Sequence, residues 1–100
     1  MNLFGLRIMR VEGASMEPLV PADSFAVFRP TRRAKPGDVV LVDHPRFGRI
    51  VKSIRDVDAD GISLSGQSKF SVSTARLGKV RPDRVIGKMI HLIPPDLAKS

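Results

Sequence analysis

Apolar residues in this chain recur in short runs between turn-forming clusters, and the three-to-four-residue spacing of an amphipathic helix is scarce. Residues 6–11 alternate loosely and predict a first strand, and the β-prone Phe25-Ala26-Val27-Phe28 predicts a second. Residues 39–42 form a continuous apolar run short enough for a buried strand. Residues 49–57 are β-prone, residues 62–64 make a short strand, and residues 84–93 make a last one that stops at Pro94-Pro95. The intervening stretches carry turn chemistry. GASMEPLVPADS reads as a turn or a short helical turn, RPTRRAKPGD as a connection closing on Gly37-Asp38, HPRFG as a turn, and Asp58-Ala59-Asp60-Gly61 as a hairpin turn. Residues 67–79 hold four Ser or Thr and show no period. Short strands at roughly 8–12-residue spacing predict a mostly β fold of antiparallel strands with little helix, a sandwich or a barrel. The length predicts one domain over residues 1–100.

One position breaks the pattern. If residues 49–55 form a strand, side chains alternate between its faces. Ile50, Lys52 and Ile54 then share the apolar face, while Arg49, Val51, Ser53 and Arg55 share the other. A lysine there has two options. It can run its stem along the apolar surface and hold its ammonium in water. Otherwise it is desolvated, which lowers its pKa and makes the neutral amine a proton acceptor.

The hexamer GASMEP, residues 13–18, raises a matching question. Ser15 is either a plain turn hydroxyl or a nucleophile, and a serine nucleophile needs an adjacent base. Gly13 and Ala14 leave room for a substrate backbone and leave backbone N–H groups free to hold an oxyanion. Met16 is either core or a flexible contact for a substrate side chain. Three residues could take the proton of Ser15: His44, His91 and Lys52. His44 precedes a proline in a turn, which predicts exposure. His91 shares a face with Met89 and Ile93, which predicts a core or half-exposed ring. Neither comes with an orienting carboxylate nearby in sequence. A Ser-Lys pair is an established alternative to the Ser-His-Asp triad.

Composition narrows the classes. Cysteine is absent, which removes disulfides, thiol catalysis and thiolate metal sites, and no metal site is expected. The net charge of +7 suits solubility or an anionic partner. The five aromatics are all Phe and no nucleic-acid motif appears, so no nucleic-acid partner is expected. No run approaches the ~20 apolar residues that cross a bilayer. MNLFGLRIM is interrupted by Arg7 and lacks a following cleavage signal, so a chain without an integral membrane segment is expected.

VEGASMEPLV and GRIVKSI together resemble the catalytic signature of the type I signal peptidases and the related self-cleaving SOS repressors. That superfamily carries a G-x-S-M-x-P-like serine box and, later, a lysine inside an apolar strand. Between them KPGDVVLVDHP resembles the family's G-D-V-V segment, and GKVRPDRVIGKM resembles its closing glycine box. The boxes occur in the family's order from Val11 to Met89. The resemblance implies a signal-peptidase-like catalytic β-fold and a soluble serine endopeptidase acting on a precursor protein. It implies Ser15 as nucleophile, Lys52 as general base, and Gly13, Ala14 and Met16 in the oxyanion and substrate region. It implies no cofactor, and a polypeptide substrate held extended beside an enzyme strand.

The chain departs from the pattern in three places. Gly13 stands where some members have a hydroxyl. The usual membrane anchor is missing from the pattern. Gly66-Gln67-Ser68 and residues 71–76 replace G-D-N and S-x-D-S-R, so the lysine-orienting serine falls to Ser71 or Ser73. A short, anchorless member is similar to the maturation proteases of nickel-type superoxide dismutase. That likeness implies a superoxide dismutase precursor as partner and a cytoplasmic location. Two alternatives stay open: a peptide-binding module of the same fold that no longer cleaves, and the autocleaving and dimerisation domain of a repressor-like protein.

Overall fold

In the computed structural model, which describes residues 2–3, 5–12, 16, 19–66 and 74–95, the apolar run at 39–42 lies in a strand buried on both faces. Among the described residues eight strands form one sheet: β1 (Asn2–Leu3), β2 (Leu6–Arg10), β3 (Phe25–Arg29), β4 (Val39–His44), β5 (Gly48–Asp58), β6 (Gly61–Ser65), β7 (Lys79–Val80) and β8 (Val85–Ile93). Their order is β1-β2-β3-β8-β4-β5-β6-β7, and every neighbouring pair is antiparallel. The helical elements among the described residues are α1 (Thr74–Leu77) and a 3-10 turn at Pro82–Arg84. The mostly β expectation therefore holds. The strands expected from the sequence all form, within two residues at each end. The unexpected elements are the 3-10 turn, β1, α1 and β7. The last two lie in or at the end of the stretch without a sequence period, where four-residue and two-residue elements are too short to show one.

β4 explains the architecture. Val39 and Leu41 point into one core with Val11, Met16, Val20, Ala26 and Phe28. Val40 and Val42 point into a second core with Ile54, Ile62, Leu64, Leu77 and Val80. A strand dry on both faces reads as a continuous apolar run rather than an alternation, and this one does. The sheet curls around β4, with bulges in the β3–β8, β4–β8 and β5–β6 ladders.

The register of β5 on β4 is set by the turn that precedes β4. Lys35-Pro36-Gly37-Asp38 closes with Asp38 N–H donating to Lys35 O at 3.1 Å, and Gly37 has φ 93°. Proline second and a positive-φ glycine third are the requirements of a type II turn. Gly37 N–H donates to Ile54 O at 2.9 Å, and Ile54 N–H donates to Asp38 O at 2.8 Å. These bonds lock Val40 opposite Lys52 and Val42 opposite Ile50. A one-residue slip would turn every side chain of β5 to the other face.

Gly87 is the tightest point on β8. A Cβ there would lie 2.8 Å from Arg29 O and 3.2 Å from Phe28 Cβ, with backbone as the first obstacle. Gly87→Ala is expected to destabilise the fold by about 2 kcal/mol through overpacking. Urea unfolding should show the loss as a lower midpoint at an unchanged slope.

Candidate functional site

Lys52 is buried, with 3% of its surface exposed. Its partner across the ladder is Val40, so it faces the second core, flanked along β5 by Ile54 and the half-buried Ile50. None of the ion pairs among the described residues involves Lys52. Loss of solvent pushes its pKa below the ordinary lysine value, and desolvation is the cause. Of the two options read from the sequence, burial rather than an ammonium held in water is the one the structure shows.

The expected division of β5 into one dry and one wet face needs correction. Ser53 is 6% exposed and Val51 packs against the first core. The reason is the sheet's curl, which covers both faces of β5 near its middle. Arg49 and Arg55 remain exposed, as expected.

Lys52 lines a cleft of about 560 Å³. Met9, Arg10, Val11, Glu12 and Met16 form one bank, and residues 49–52 of β5 form the other. Leu41, Phe47 and Leu77 complete the lining. Among the described residues, β6 pairs with β5 only from Ser53 onward, and β1 pairs with β2 only at Leu6 and Arg7. Each bank thus presents a strand edge without a described partner strand. Such an edge offers backbone N–H and C=O groups to an extended chain. The β2 bank is anchored to the loop before β3. Val11 N–H donates to Ser24 O at 2.8 Å, and Asp23 N–H returns a bond to Val11 O at 2.8 Å. The exposed Arg10–Asp23 ion pair at 2.6 Å lies beside them, and Asp23 raises the Arg10 pKa by hydrogen bond and charge.

Met16 is 1% exposed, packs in the first core and also lines the cleft. The core packing matches one of its two readings from the sequence. Ser15, Gly13, Ala14, Ser71 and Ser73 lie outside the described residues.

The structure overturns the expected exposure of His44, which is 3% exposed. It ends β4 instead of starting a turn, and both ring nitrogens are engaged. Nδ1 accepts from Arg46 N–H at 3.0 Å and from Phe47 N–H at 3.3 Å. An Nδ1 that accepts carries no proton, so Nε2 holds the hydrogen and donates it to Leu77 O at 2.7 Å. That ring has no free lone pair for a serine proton. His91, expected in the core or half-exposed, is instead exposed on β8 opposite Val27, and it does not line the cleft. Of the three candidate bases, Lys52 is the one in the cleft with its nitrogen uncommitted to a described ion pair. The sequence did not reveal Glu12, Phe47, Arg49 and Leu77 as lining residues, because tertiary packing alone brings them there.

With this geometry in view, the sequence model of the Peptidase S24-like family matches residues 4–90. The chain belongs to the Peptidase S24-like family, in agreement with its resemblance to the SOS-repressor-like proteins. A comparison with curated proteins finds no match. No helix among the described residues is long and apolar enough to cross a membrane. No group of three or more metal-ligating side chains occurs among the described residues.

Burial of Lys52 has a thermodynamic signature. Its folded pKa lies below its unfolded value of about 10.4, so the unfolded chain binds the proton more tightly between the two. Stability therefore rises with pH across that window and loses the Lys52 contribution below it. Lys52→Met removes the charge and keeps the stem. It should stabilise the protein by on the order of 1 kcal/mol at neutral pH. The gain should vanish as pH rises past the unfolded lysine value. Denaturant titrations of both proteins across pH would show this convergence.

Proposed function

We propose that this chain is a soluble, cytoplasmic serine endopeptidase working through a Ser-Lys pair, with residues 1–100 forming one catalytic domain. The observation that carries the reading is that Lys52, buried and with a lowered pKa, lines the same cleft as Met16, the residue directly after Ser15.

In the proposed mechanism the neutral Lys52 Nζ takes the proton of Ser15 Oγ as the oxygen attacks the peptide carbonyl carbon. Negative charge moves to the carbonyl oxygen, held by backbone N–H groups around Gly13, Ala14 and Ser15. The C–N bond then breaks, and the amine leaves with the proton that Lys52 carried. Water attacks the acyl ester with Lys52 again as base, releasing the carboxylate product and Ser15. Ser71 or Ser73 orients the amine. The substrate is an extended polypeptide bridging the two strand edges that lack a described partner. For its identity we propose the N-terminal extension of a nickel-type superoxide dismutase precursor, a reading supported by the VEGASMEP, KPGDVV and STARLG segments.

A module that binds peptides without cleaving them is favoured by one observation, the loss of both acidic residues from the 67–76 stretch. Serine-directed fluorophosphonate labelling separates the two readings. Labelling at Ser15 is expected in the intact protein and should vanish in Ser15→Ala. Lys52→Ala should lower peptide cleavage by at least about a hundredfold. The rate should fall as pH drops through the folded pKa of Lys52, since the protonated amine cannot accept. A Lys52→Ala protein with normal turnover would refute the mechanism.

A further inference from the structure

We propose that His44 is a positioning residue for the peptide substrate, setting one wall of the cleft that Lys52 lines. The proposal deepens the peptidase reading and rests on it for the cleft's occupant. The imidazole joins two segments distant in sequence. Its Nδ1 gathers the N–H groups of Arg46 and Phe47 and so shapes the turn entering β5. Its Nε2–H reaches the carbonyl of Leu77, the last residue of α1, at 2.7 Å. The final carbonyls of a helix have no partner within it, and His44 supplies one. The rings of His44 and Phe47 also pack with centroids 5.0 Å apart.

Both joined segments reach the cleft, because Phe47 and Leu77 line it beside Lys52. Phe47 keeps 37% of its surface exposed, an apolar ring held toward the open side by a buried partner. Leu77 is 4% exposed and is shared between the cleft and the second core. His44 thus preorganises an apolar wall without touching the reacting atoms. Such a residue governs how tightly the peptide is held more than the chemical step at the serine.

Two amide substitutions divide its roles. Asn places an acceptor near the Nδ1 position and falls short of Leu77, whereas Gln places a donor near the Nε2 position and gives up the turn contacts. The probe is the tightest-binding octapeptide selected by display on the Ser15→Ala protein, labelled with fluorescein and followed by anisotropy. In that background His44→Asn should weaken binding about tenfold, and His44→Gln should weaken it less. Phe47→Ala should weaken binding too. The double variant with His44→Asn should lose less than the product of the two single losses, because both act through one wall. Fluorophosphonate labelling of Ser15, with a probe too small to need the wall, should fall far less than peptide affinity.

Unchanged affinity in both His44 variants, a fully multiplicative cycle, or labelling lost in step with affinity would each overturn the proposal. If the Asn variant does not fold, the Gln variant and Phe47→Ala carry the same cycle. A Ser15→Ala protein that selects no peptide contradicts it as well. Failure of the unmutated serine to label would instead refute the peptidase reading, while the peptide affinities still decide the role of His44.

Discussion

The desolvation of a single amine organises this molecule. An ammonium on a strand between isoleucines is among the costlier things a small fold can bury. Lys52 occupies that place at 3% exposure with no carboxylate paired to it among the described residues. The cost falls on the charged form alone, so folding lowers the pKa of the amine. The same disfavoured charge that burdens stability is what makes lysine usable as a base.

Holding the amine in place requires a fixed register. The type II turn at Lys35–Asp38 and its bonds to Ile54 supply it, and β4, dry on both faces, leaves no alternative register that keeps two cores filled. At the other end of β5, His44 ties the turn to the carbonyl of Leu77. Between these two anchors lies the stretch of β5 whose outer edge has no described partner strand. Among the described residues the cleft is therefore flanked by strand edges without a partner, the feature on which the proposed binding of an extended chain rests.

Much of this was legible in the sequence. The two-residue alternation around Lys52 showed its anomalous face, and the run at 39–42 signalled a strand without a wet side. Turn residues marked the boundaries of most strands. His44 was misread because the proline after it suggested a surface turn, whereas its burial depends on a carbonyl 33 positions away in sequence. Ser53 was misread because simple alternation presumes a flat sheet, and this sheet curls. α1 and β7 were missed because four and two residues are too few to display a period. The lining positions Glu12, Phe47, Arg49 and Leu77 have no local signature, since only the fold brings them to one cleft. The serine box was readable as a motif, and family membership over residues 4–90 supports that reading at the level of the family.

The central claim is that burial lowers the pKa of Lys52 below that of the exposed lysines. An NMR titration following the 13Cε and 1Hε shifts of each lysine, with Lys52→Met for assignment, measures this directly. The account predicts that one lysine resonance, absent from Lys52→Met, titrates below the others. If Lys52 titrates together with the exposed lysines, near the ordinary value of about 10.4, the amine is solvated and the account is wrong.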